Sequence, residues 1–528
     1  MKKTFAILFA VLLTVTACSK FEAAPPIPET AVDRAEALDE QHKKDEFARD
    51  TQRFSTEAPR PYDVLEYSLK GQFDWSRATL DANVTITLKR DPSLRSIELD
   101  SLVAQISKVA LTSGETLPFT VDLAKHKLTV ELPSTLTDET VSLRIDYQVL
   151  GGSQADERRR NLNMILPRSG DPVQTRVLYT RSEPTGAHAW MPCNDRPADG
   201  ALFSVEITMP AHERMIANGR LLKDDVVGQE RTMSYRTDNP QPTYLMAFAQ
   251  GDFVSATLMH GSLPVSVWAR RGVQVEWDAI LNETVREIAL FEKLLTPYPY
   301  EKYVIVLVPE FGGGMEHASI TFNEETRSSQ PLRGDFGLMA HELGHHWFGD
   351  MITVTHWDDL WVKEGMATLL STEAMRTFDD QKQTGFMMGD FFNIKNGDAI
   401  RDPALAPSAK YTSGPYGRAA WFYTQIRAAI GEKAFWGALR GLLVAHRYGS
   451  VSSEDVLEAF RPALGEARYN KALASLGSHE MPQVHVVVAG DVLTLSLDDV
   501  EDTLLAPLEI TEMGVSGQQT RHSLLVSG

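Results

Sequence analysis

His341-Glu342-Leu343-Gly344-His345 sits between Met339-Ala340 and His346-Trp347-Phe348. In a helix, positions i and i+4 lie on one face, so both imidazoles of this HExxH can reach a single ion. Met339, Ala340 and Leu343 give such a helix apolar positions to bury. Glu342 projects about 100° away from His341, near enough to meet a metal-held water without sharing its coordination position. His346 falls outside the i, i+4 register. A catalytic zinc takes three protein ligands and keeps a fourth position open. The third ligand is expected on a second helix, and Glu364 in Trp361-Val362-Lys363-Glu364-Gly365 follows His345 after 18 intervening residues. The bland alternative is a helix with two satisfied histidines, and the spacing to Glu364 argues against it.

Working outward, the pattern from about Val273 to Leu476 is helical, interrupted by a short apolar strand at Tyr303 to Val308 and a Gly-rich Phe311-Gly312-Gly313-Gly314. Upstream, Asn83 to Leu88, Lys127 to Leu132 and Ser142 to Tyr147 alternate with period two, the mark of half-buried strands. Downstream, strands return at Val484 to Val488 and Val492 to Leu497. The expected architecture is multidomain α+β. A signal segment spans 1–17 and a polar tether 18–60. An N-terminal antiparallel β domain spans 61–260, a mainly helical zinc domain 261–480, and a short C-terminal β-sandwich-like segment 481–528.

The first residues read as an export signal. Met1-Lys2-Lys3 precedes an apolar run from Thr4 to Thr16, and Val15-Thr16-Ala17-Cys18 resembles a bacterial lipobox. The expectation is a lipid anchor at Cys18 and a place in the bacterial cell envelope, at the outer membrane by the following Ser19. Cys193 is the other cysteine of the chain, so no disulfide framework is expected. The net charge of −19 disfavours nucleic acid, whose phosphates need clustered Lys and Arg. It suits a cationic ligand such as a free amino group.

With these residues in view, the sequence resembles the zinc aminopeptidase family of aminopeptidase N and leukotriene hydrolase. The family's HExxH-x18-E pattern is complete. Gly313-Gly314-Met315-Glu316-His317 is similar to its GxMEN motif, and Tyr411 to Arg418 to the segment carrying its catalytic tyrosine. Arg181 to Ala187, Trp190 to Asp195 and Tyr244 to Phe253 resemble further signatures, so the likeness covers about residues 60–528. It implies a thermolysin-like catalytic domain and one zinc ion held by His341, His345 and Glu364. The large C-terminal helical domain of many members is not expected from the residues that follow 480.

The resemblance also implies roles. Glu342 is the general base, and Tyr416, with Tyr411 as the alternative, stabilises the oxyanion. Glu316 and Glu183 anchor the substrate's amine, and Gly313, Gly314, Met315 and His317 line the substrate path. His317 stands where the family has Asn, and Arg418 and Ala419 where it has Lys and Gly. The expected activity is removal of N-terminal residues from peptides with a free amine. Two alternatives stay open: a zinc endopeptidase or other peptidase of altered end specificity, and a lipid-anchored peptide-binding protein without turnover.

Overall fold

The computed structural model describes residues 10–12, 60–152, 161–167, 173–325, 332, 334–378, 398–479, 484–489, 492–497, 506–513 and 519–526. The segments expected as signal and tether lie outside these, apart from Ala10–Leu12, which pairs antiparallel with Ala506–Met513, and Arg60. Arg60 bonds Glu98 at 2.5 Å and Asp100 at 3.0 Å.

The alternating segments form strands as their period requires. In Thr79–Arg90, Val84, Ile86 and Leu88 are buried while Asn83, Thr85 and Thr87 are only partly covered. This strand lies inside a seven-stranded sheet. Its order is 220–227, 230–236, 202–210, 62–74, 79–90, 140–150, 105–111. All its pairings are antiparallel except one: Leu202–Pro210 runs parallel to Tyr62–Asp74. Leu202–Pro210 reaches that place by a long connection through two smaller sheets, which frees its direction from the hairpin rule.

The catalytic half is built on a second, five-stranded sheet in the order 253–260, 263–270, 303–308, 320–324, 314–315. The boundary drawn at 260/261 falls in the turn of its first hairpin, between Phe253–His260 and Leu263–Arg270. Tyr303–Val308 is buried at every position, as a central strand flanked in parallel on both sides must be.

Helix α1 (Trp277–Leu294) packs on this sheet and on α2 (Phe336–His345). The Asp335 carboxylate accepts from Leu338 N at 3.1 Å and caps α2. Helix α3 (Leu360–Phe378) crosses α2 where Gly344 leaves room for Leu370. Helices α4 (Ala419–Ile430), α5 (Glu432–Ala445), α6 (Ser453–Leu464) and α7 (Glu466–Ser475) complete the bundle. A Cβ on Gly365 of α3 would stand 2.5 Å from that of Ala419, so α3 and α4 approach closely at this point.

The two halves are hydrogen-bonded together. Tyr179 Oη donates to Pro309 O at 2.9 Å, Asn218 Nδ2 to Ala318 O at 2.7 Å and Tyr244 Oη to Gly349 O at 2.6 Å. The C-terminal segment contains two antiparallel pairs, Val484–Ala489 with Val492–Leu497 and Ala506–Met513 with Gln519–Val526.

Candidate active site

Helix α2 places His341 and His345 one turn apart, and α3 brings Glu364 against them. His341 Nε2 lies 3.0 Å from His345 Nε2 and 3.2 Å from Glu364 Oε2, and His345 Nε2 lies 3.3 Å from the same oxygen. A tetrahedral ion with bonds of about 2.0–2.1 Å separates its ligands by about 3.3 Å, so this triangle fits zinc. The His345 Nδ1–H donates to Phe348 O at 3.0 Å, which aims Nε2 at the triangle. Burial holds His341 toward its neutral, ligating form. Burial works in the same direction on His345, yet the charges of Glu316 and Glu364 outweigh it and lift this imidazole to about 9. A metal ion bound between His345 and Glu364 would take the place of that proton. His346 points elsewhere: its Nδ1 meets Tyr298 Oη at 2.5 Å, among Tyr298, Tyr300 and Tyr303.

Glu342 is buried, and burial together with the Glu316 charge pushes its carboxyl well above the usual carboxylate range. Its carboxylate lies within 4.8 Å of the ligand atoms of His345 and Glu316, in reach of a water held at the triangle. Gly314 makes room for it, because a Cβ there would stand 2.2 Å from Glu342 Oε1. Gly312 and Gly313 have φ of +75° and +122°, a backbone path that favours glycine. The path ends in Gly314–Met315, the edge strand of the five-stranded sheet.

Glu316 is buried beside the triangle, and Glu183 reaches it from the N-terminal half. Between them lies a group the sequence reading passed over. The fully buried Lys363 ammonium bonds Glu316 Oε1 at 2.5 Å and Glu364 Oε1 at 2.6 Å, and pairs with Glu183. It sits where Glu183, Glu316 and Glu364 converge, so a single ammonium from the chain itself answers part of the charge of three acids. Burial, and next the Glu316 charge, lift the Glu183 carboxyl to about 7 against the pull of Lys363. One signal pointed to Lys363: from Leu360 to Ser371 α3 is buried on every face, and a lysine there must be paired.

Tyr416 stacks on His341 with ring centroids 6.0 Å apart and planes 16° apart. Burial raises its phenol well above the usual value, so it stays a donor. Tyr411 is 36% exposed. His317 is buried against Phe322, and neither ring nitrogen has a hydrogen-bond partner among the described residues. Burial holds it neutral, down to about 3. Cys193 is buried and free, and His356 accepts from Asp358 N at 3.2 Å.

A buried HExxH triangle on paired helices, beside an edge strand and an acid cluster, defines a metallopeptidase-type site. Residues 62–245 match the profile of the peptidase M1 N-terminal domain, and 279–478 match that of the peptidase family M1 domain. The chain belongs to the peptidase M1 family, whose cofactor is one catalytic zinc ion. It is 25% identical over 485 residues to Tricorn protease-interacting factor F2 of Thermoplasma acidophilum, covering 86% of this chain and 59% of that one. It is 27% identical over 309 residues to human endoplasmic reticulum aminopeptidase 1, covering 54% and 33%. The chain thus spans 59% and 33% of the length of these curated relatives, less than two thirds of either. The M1 zinc metallopeptidase of Deinococcus radiodurans superposes with a TM-score of 0.67 at 24% identity, over 80% of this chain and 95% of that one.

Proposed function

We propose that this chain is a zinc aminopeptidase that hydrolyses the N-terminal residue from peptides. The observation that carries this is the arrangement of Glu316 and Glu183 beside the His341, His345 and Glu364 triangle, two acids set to take an ammonium next to the reacting centre. The name of the human relative agrees with it, and a variant of the Deinococcus enzyme has been crystallised with a Tyr-Ser-Ala substrate.

His341, His345 and Glu364 would hold the zinc, which when bound supplies a Lewis acid that polarises a carbonyl and acidifies water. Glu342 takes the proton of the attacking water on its carboxylate and passes it to the leaving amine. The Tyr416 hydroxyl donates to the oxygen on which negative charge develops. Glu316 and Glu183 accept charge-assisted hydrogen bonds from the substrate's α-ammonium. Gly314–Met315, as an edge strand, offers backbone groups to which an extended peptide adds.

Turnover of an aminoacyl 4-nitroanilide tests the reading. Chelation of zinc should abolish it, and acetylation of the substrate's amine should abolish it too. The ion pairs of Lys363 with both amine anchors favour a second reading, a peptidase less dependent on that amine. Undiminished cleavage of the acetylated substrate would decide for it.

We propose further that Cys18 carries a lipid anchor to the cell envelope, on the strength of the lipobox pattern. Cys18→Ala should move the protein from the membrane fraction to the soluble one; retention at the membrane would reject the anchor.

A further inference from the structure

Tyr416 stands on an unusual piece of backbone. Gly414–Arg418 forms a single π-helical turn, with Arg418 N donating to Ser413 O at 3.1 Å. Such turns are rare, because the wider ring loses contact along the helix axis. This one begins Gly-Pro, so it lacks the Pro415 N–H as well. Ser413 precedes it and makes no side-chain cap to the turn.

What holds the turn comes from outside it. Asp398 Oδ2 accepts from Ser413 N at 3.2 Å and from Ser413 Oγ at 2.6 Å. The backbone carbonyl of the same Asp398 accepts from Arg418 Nη1 at 2.8 Å. Both ends of the turn are therefore bonded to one residue. The adjoining chain is pressed against the turn as well, since a Cβ on Gly414 would stand 2.0 Å from Ala399 O. Arg418, which departs from the family's usual Lys, is buried and supplies one of these bonds.

We propose that Asp398 is a positioning residue for Tyr416: its carboxylate and its carbonyl clamp the two ends of the π-turn and fix the phenol over His341. The proposal rests on the reading of Tyr416 as oxyanion donor. A phenol displaced by even about 1 Å loses the aligned bond in the transition state, which can cost about 100-fold in rate.

A double-mutant cycle on the full chain, assayed with an aminoacyl 4-nitroanilide, tests it. Asp398→Ala should lower kcat about 10- to 100-fold with KM within about 2-fold, because the lost bond forms only in the transition state. Asp398→Asn, which keeps an acceptor oxygen, should restore kcat to within about 3-fold of wild type. Tyr416→Phe alone should lose about 10²–10³ in kcat, and adding Asp398→Ala to it should cost no more than about 2-fold. Amide hydrogen exchange across 413–418 should quicken in Asp398→Ala at unchanged global stability, and Ser413→Ala gives a second, milder opening of the turn. Equal losses from Asp398→Ala in both backgrounds, or unchanged exchange, would overturn the clamp. If Tyr416→Phe keeps wild-type kcat, the role of Tyr416 falls instead, and exchange alone then decides the clamp.

Discussion

The Lys363 ammonium lies 2.5 Å from Glu316 Oε1, inside the acid cluster assigned to a substrate's amine. It is wholly buried, and its charge answers Glu183, Glu316 and Glu364 together. Removing one partner of a buried ion pair leaves the other charges uncompensated, at a cost of about 3–5 kcal/mol. Lys363→Met should therefore lower the unfolding free energy by that order in urea titration. Lys363→Met at wild-type stability would show that the acids are neutralised by protonation instead.

The strands and the metal triangle were legible because each is written at short range. Val84, Ile86 and Leu88 alternate within one strand, and His341 and His345 lie one helical turn apart. Glu364 was within reach because its helix also carries a recognisable pattern. The partners of Lys363 were not legible, since Glu316 is 47 positions away and Glu183 arrives only through docking of the N-terminal half. The parallel pairing of Leu202–Pro210 with Tyr62–Asp74 was hidden for the same reason: periodicity marks a strand but not its neighbour. The clamp of Asp398 on Ser413 and Arg418 likewise joins segments whose relation no local pattern records.

Asp199 makes the fold sensitive to pH. Burial, with the nearby Asp63 charge adding to it, lifts its carboxyl to about 7 despite the hydrogen bond from Asn194 Nδ2. The folded state then holds a proton that the unfolded chain releases near its ordinary value of 3.8. Between about pH 4 and 7 the unfolded state binds fewer protons, so stability falls as pH rises through this window. Asp199→Asn should flatten that fall and raise Tm at pH 8 relative to wild type. Thermal melts of both proteins at pH 5 and pH 8 check this; parallel curves would remove Asp199 from the account.

Metal holding and proton transfer should separate by mutation. His345→Ala opens the triangle and should reduce bound zinc from about one per chain to near zero by elemental analysis. Glu342→Gln leaves the triangle's atoms in place and should retain zinc while turnover drops about 10²–10⁴-fold, the usual contribution of a positioned acid–base group. Loss of zinc from Glu342→Gln would mean that Glu342 helps hold the metal.

Gly314 couples the edge strand to that same carboxylate. Its absent side chain is the space Glu342 Oε1 occupies, with a Cβ there falling 2.2 Å from Oε1 and 2.5 Å from Cδ of Glu342. Gly314→Ala has no adverse φ to overcome, so the strand should form and Glu342 should be the group that moves. The expected result is a kcat about 100-fold lower, with zinc content unchanged and Tm within a few degrees of wild type. Combining Gly314→Ala with Glu342→Gln should add little further loss, because both act on one carboxylate. Full multiplication of the two losses would place the effect of Gly314 on the peptide backbone it pairs with, and not on Glu342.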